Sequence, residues 1–193
     1  MSKTYSKTRT LVECALMIAL GTVLANIKIY ELPNGGSITL FSMVPFILVS
    51  FRHGVKWGLF TGFVNSLLQM LLGFYAPPAP GLLPLVGMIL LDYVLAFGVM
   101  GIAGLGRGKP HGIFWGSVLG GAARFVVHYI SGITIYKILA PTEIFGTVFD
   151  NPALYSLIYN GSYVVIDLVL CLVIFGILYA PLKTYMTGAD LRR

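Results

Sequence analysis

The chain has 193 residues, 57% of them hydrophobic, and only 10% are Asp, Glu, Lys or Arg. A water-soluble domain carries about 25% charged residues, so an ordinary soluble globule is excluded. The formal net charge of +6 does not argue for nucleic acid, because the basic residues fall between apolar runs, where lipid headgroups account for them.

Six apolar runs follow one another, at about 10–27, 38–51, 55–72, 85–105, 113–136 and 153–182. Crossing a roughly 30 Å hydrocarbon core takes about 20 helical residues. A β-barrel would instead show many alternating segments of about ten residues. The expectation is therefore an all-α integral membrane bundle of six transmembrane helices, one domain over residues 1–193. Lys3, Lys7, Arg9, Arg52, Lys56, Arg107, Lys109, Lys183, Arg192 and Arg193 all fall on one side of that topology. By the positive-inside rule this side is cytoplasmic and holds both termini.

The first run has no convincing small-residue cleavage site and five more runs follow, so it reads as a retained span rather than a signal peptide. Ala15 and Ala19 share one of its faces. Small residues four apart allow close approach of another helix, either inside the bundle or from a docking partner. Cys14 and Cys171 lie singly in different runs and read as structural.

Pro33-Asn34-Gly35-Gly36-Ser37 is turn chemistry leading into the second run. That run is short for a full span and calls for a tilt or an earlier start. In the third run Asn65 and Gln69 share a face that points into the bundle. Residues 73–84 read GFYAPPAPGLLP. The prolines make this an irregular apolar cap that carries Phe74 and Tyr75, a lid over a cavity or a plain connection.

Ionisable groups within a bilayer are costly, so each one in the runs needs a partner or a ligand. Asp92, beside Tyr93, either pairs with Arg124 or meets a cationic or amino-bearing ligand. Arg124 reads as structural. His128 is four residues from Arg124, and Tyr136 lies two turns further on, so the pair can form a ligand wall. Ser156, Asn160, Tyr163 and Asp167 recur at helical spacing in the sixth run, flanked by Tyr155 and Tyr159. Such density exceeds what helix–helix contact requires. Asp92, His128, Tyr136, Tyr155 and Asn160 converge on the outer half, a set suited to a flat, heteroaromatic, partly cationic molecule. The sequence offers no phosphate loop for nucleotide and no histidine set for a metal, so neither an enzyme nor a metalloprotein is expected.

Several segments together resemble a known family. They are Gly36-Ser-Ile-Thr-Leu-Phe-Ser-Met-Val-Pro45, Ser50-Phe-Arg-His-Gly54, Leu91-Asp-Tyr93 with Gly101-Ile-Ala-Gly104, His128-Tyr-Ile-Ser-Gly132 and Tyr155-Ser-Leu-Ile-Tyr-Asn160. The chain resembles the thiamine-specific substrate-binding (S) component of energy-coupling factor (ECF) vitamin transporters, over almost its whole length. The resemblance implies a six-helix bundle that holds thiamine near the outer face under capping loops. It places Asp92 at an acidic position, Glu in some members, that contacts the aminopyrimidine. Tyr93, His128, Tyr136, Tyr155 and Asn160 fall at pocket positions, with Tyr136 where some members carry a tryptophan beside the thiazolium ring. Tyr75 matches a loop aromatic. A tryptophan found in the first outer loop of some members is absent, with Gly35 and Gly36 in its place. Ala15 and Ala19 match the surface that docks on a transmembrane coupling subunit, which works with two ATPase subunits, so ATP is used by partner chains. The alternatives are an S component for another vitamin or precursor, such as the pyrimidine moiety alone, and an integral-membrane enzyme or assembly factor.

Overall fold

The computed structural model describes residues 3–139 and 142–192. Arg193, counted above among the basic residues, lies outside them, as do residues 140 and 141 of the last connection. Among the described residues the chain forms six helices: α1 Lys3–Asn26, α2 Met43–His53, α3 Val55–Gly73, α4 Leu82–Gly106, α5 Gly112–Thr134 and α6 Pro152–Met186. Two short antiparallel hairpins accompany them, β1 Lys28–Glu31 with β2 Ser37–Thr39, and β3 Thr142–Ile144 with β4 Thr147–Phe149.

Four of these segments, those built on α1, α4, α5 and α6, are long and apolar enough to cross a membrane. Their outward faces carry exposed Leu16, Leu20 and Val23 on α1, and Val165, Val169, Val173 and Ile177 on α6. Contiguous apolar exposure on this scale suits lipid rather than water, and the chain is a multi-pass membrane protein. The inward face of α1 is narrow: Thr10, Cys14, Ile18 and Gly21 are buried, and Ala15 and Ala19 are exposed. α3 has 19 residues, but Lys56, Asn65 and Gln69 dilute its hydrophobicity.

α2 is the exception, and it explains the cavity. Its 11 residues reach about 16 Å, half the hydrocarbon core. The helix does not start within Asn34–Ser37, where the chain instead turns and forms β2. α2 packs against α1, α3, α4, α5 and α6, so it lies inside a ring of longer helices. Met43, Phe46, Ile47, Met100, Ile113, Cys171 and Phe175 form a core there with almost no exposure. Ser50 stitches α2 to α4, donating to the Gly101 carbonyl and accepting from Gly104 N–H at 2.7 Å.

Both termini sit at the same end of the bundle. Arg9 of α1 pairs with Asp190, and the fully buried Arg52 of α2 binds both Glu13, with Nε at 2.6 Å, and Asp190, with Nη1 at 2.6 Å. At the opposite, distal end no α-helix among the described residues replaces α2. The β1–β2 hairpin closes that end, and its Thr39 donates its backbone N–H to the buried Asp167 of α6 at 2.9 Å.

Candidate functional site

A cavity of about 310 Å³ opens above α2 at the distal end. Its size is at the lower end of sites for drug-sized ligands. One wall comes from α4, where the residues from Ile89 to Leu95 wind as a π-helix. A π-turn inserts an extra residue per turn and re-aims side chains, which is why such turns recur at functional sites. Here it brings Asp92 and Tyr93 to the cavity.

Asp92 does not pair with Arg124. Its Oδ1 lies 2.9 Å from His128 Nδ1 and its Oδ2 accepts from Ser131 Oγ at 2.6 Å. Arg124 Nε instead points at His128 Nε2, at 3.5 Å, and its guanidinium lies over the Phe97 ring. The neutral imidazole with its proton on Nδ1 satisfies both neighbours: it donates to Asp92 and accepts from Arg124. α5 makes this possible because Arg124, His128 and Ser131 fall at i, i+4 and i+7 on one buried face. The carboxylate keeps free lone pairs toward the cavity, since each oxygen can accept more than one bond.

The opposite part of the wall is α6, started by Asn151, which caps Ala153 and Leu154 N–H with its side chain before Pro152 fixes the first turn. Tyr155, Tyr159 and Tyr163 follow at four-residue spacing, all buried. Tyr155 and Tyr159 stack with centroids 5.5 Å apart, and His128 meets Tyr163 edge-on at 5.9 Å. The Asn160 amide is held at both ends: Nδ2 donates to His128 O and to Ser156, while Oδ1 accepts from Tyr163 hydroxyl at 2.8 Å and keeps a second lone pair. It braces α5 to α6 at the cavity edge.

The lid is pinned by tyrosines. Tyr159 hydroxyl accepts from Gly36 N–H at 2.8 Å and donates to the Pro33 carbonyl. A Cβ on Gly36 would stand 3.0 Å from Tyr159 and Tyr163 ring carbons, so this contact demands glycine. Asn34 Nδ2 reaches Tyr155 hydroxyl at 3.3 Å. On the other side, Tyr93 hydroxyl accepts from Tyr75 N–H at 2.9 Å and donates to Gly73 O. The Tyr93 ring stacks on Phe74, so Tyr93 holds the 73–84 connection as well as lining the cavity. Tyr75, half-exposed, packs against Gly35 and bridges the two capping loops.

Every pocket residue anticipated from sequence lines this one cavity: Tyr75, Asp92, Tyr93, His128, Tyr136, Tyr155 and Asn160. Ala15 and Ala19 lie elsewhere, on the exposed face of α1. Sequence reasoning did not single out Ser131, Gln69 or Asn34 as cavity residues. Ser131 was findable, because it lies three residues after His128 on the same face.

A membrane-embedded bundle with an aromatic, carboxylate-bearing cavity at one end is a small-molecule binding protein of the bilayer. The thiamine transporter protein family (Thia_YuaJ) matches residues 11–186, and this chain belongs to that family. The thiamine transporter ThiT of Bacillus subtilis (strain 168) is 32% identical over 189 residues, covering 88% of this chain and 89% of that one. The thiamine transporter ThiT of Lacticaseibacillus paracasei is 30% identical over 163 residues, covering 78% and 77%. The solved structure of ThiT from Listeria monocytogenes has the same fold, with a TM-score of 0.76 at 22% identity over 93% of this chain and 98% of that chain.

Proposed function

We propose that this chain is the high-affinity thiamine-binding S component of an ECF-type importer, which delivers the vitamin to a separate coupling and ATPase module. The observation that carries this reading is the Asp92–His128 pair, 2.9 Å apart in an aromatic cavity, in a chain of the thiamine transporter family. A carboxylate can accept from the amino group of the pyrimidine and offset the thiazolium charge, while tyrosine faces stack on both rings. In this reading Asp92 takes the aminopyrimidine, His128 and Tyr136 flank the thiazolium, and Tyr93, Tyr155 and Asn160 fix ring orientation. Tyr75 closes the mouth.

The end that holds both termini faces the cytoplasm, and the cavity faces outward. The basic residues Arg9, Arg52, Lys56, Arg107, Lys109 and Lys183 support this orientation. The coupling subunit docks on the α1 face formed by Ala15 and Ala19, whose exposure leaves room for a close helix contact. Two ATPase subunits supply the energy, and the chain itself performs no chemistry.

A thermal-shift panel on the detergent-purified protein tests the ligand assignment. Thiamine should raise the melting temperature more than the isolated aminopyrimidine, riboflavin or biotin. A larger shift with a vitamin that lacks the aminopyrimidine would replace thiamine with that vitamin.

A further inference from the structure

One polar group on the cavity wall is left unused by the interactions above. Among the described residues, two buried side-chain nitrogens have no hydrogen-bond partner, Asn65 Nδ2 and Gln69 Nε2, one turn apart on α3. The first has a local remedy. Asn65 Oδ1 already faces Thr22 Oγ1 of α1 at 3.4 Å, so turning its amide lets nitrogen donate to that hydroxyl. Gln69 has no such neighbour, and it lines the cavity. Turning its amide about the last torsion exchanges nitrogen and oxygen in place and directs the donor into the cavity. An amide that finds no partner in the wall is costly to bury and is satisfied when a ligand meets it.

The level of Gln69 indicates which part of a ligand it meets. α3 and α4 cross closely where Gly58 abuts Gly101 and Gly62 abuts Phe97. Counting outward from that crossing, Gln69 is seven residues beyond Gly62 and Asp92 five before Phe97. At 1.5 Å per α-helical residue Gln69 stands about 10 Å beyond the crossing, and Asp92, on the π-wound stretch, lies on the same distal side and lines the same cavity. α3 packs beside α4, while His128 and Asn160 come from α5 and α6 on the far side. Gln69 and Asp92 both line the one cavity, so a ring whose amino group reaches Asp92 can present its edge toward α3 and Gln69.

We propose that Gln69 is a further ligand-contacting residue, its amide N–H donating to the ring nitrogen next to the amino group of the aminopyrimidine. This deepens, and rests on, the thiamine-binding reading. The chemistry is one half of that by which glutamine recognises adenine, a donation to the ring nitrogen beside the exocyclic amine, while Asp92 accepts from the amine itself. Asp92 alone can accept only, so it cannot sense that ring nitrogen; Gln69 can.

The test compares wild type with Gln69→Leu, by titration calorimetry of two ligands. One is thiamine; the other is a thiamine analogue with CH in place of the ring nitrogen next to the amino group. Gln69→Leu should weaken thiamine about tenfold, equivalent to about 1.4 kcal/mol, and change analogue binding less than about twofold. The melting temperature without ligand should hold or rise, because leucine removes an unpartnered amide. Equal losses for both ligands, or no loss for thiamine, would overturn the role of Gln69. Absence of thiamine binding in the wild type would overturn the reading beneath it.

Discussion

Asp92 Oδ1 and His128 Nδ1 meet at 2.9 Å between α4 and α5, with Ser131 Oγ on the other carboxylate oxygen at 2.6 Å. The contact fixes the carboxylate in the cavity wall and joins two helices that no loop constrains at this depth. Asp92→Asn keeps the side-chain volume and removes the charge. A hydrogen bond to a charged group contributes about 1.5–3 kcal/mol, so thiamine affinity should fall about 10- to 100-fold with the fold intact. Titration calorimetry beside a melting curve checks it, and unchanged affinity would remove Asp92 from the binding set.

Tyr159 governs the lid. Its hydroxyl holds both the Gly36 N–H and the Pro33 carbonyl of the turn, while its ring stays stacked on Tyr155. Tyr159→Phe keeps the stacking and releases the turn. Ligand dissociation should accelerate about five- to tenfold, since one net hydrogen bond is worth about 1 kcal/mol, with association little changed. Stopped-flow fluorescence separates the two rates, and an effect confined to association would contradict a lid pinned by this hydroxyl.

The helices were legible in the sequence because lipid imposes an apolar length that composition displays directly. α2 was less so: its run shows hydrophobicity but not that an 11-residue helix stops halfway and leaves the distal half to a hairpin. The stripe Ser156, Asn160, Tyr163 and Asp167 was readable because polar residues at helical spacing stand out in an apolar run. The partner of Asp92 was not, because Arg124 and His128 lie on the same face of α5, and the π-helical stretch at Ile89–Leu95 decides which one Asp92 meets. No periodicity announces that stretch. The second duty of Tyr93, holding Tyr75 and Gly73, depends on a loop conformation that proline content alone leaves open.

Ala15 and Ala19 make few demands on the bundle, because both are exposed. The double variant Ala15→Trp with Ala19→Trp should retain thiamine affinity within about twofold and lose uptake in cells that express the full transporter. Radiolabelled uptake beside equilibrium binding provides the two readouts. Normal uptake would exclude this face as the docking surface.

Arg52 is 1% exposed and bridges Glu13 and Asp190. Removing it leaves Glu13 and Asp190 with Arg9 and His53 alone, and loss of the buried partner from such a cluster costs up to about 3–5 kcal/mol. Arg52→Met should therefore lower the melting temperature in detergent sharply. Arg9, with 35% of its side chain exposed, should contribute less to the same cluster than Arg52, because solvent screens it. Equal losses for Arg52→Met and Arg9→Ala would show that burial does not set the strength of this cluster.

In the proposed function, the cavity between Asp92, His128 and the α6 tyrosines binds thiamine. Isothermal titration of the purified wild-type protein with thiamine tests it most directly, with His128→Ala as the paired control. Binding should be saturable, submicromolar and to a single site, and should be lost or strongly weakened in the variant while its melting curve remains cooperative. Failure of the folded wild type to bind thiamine, or undiminished binding by His128→Ala, would contradict it.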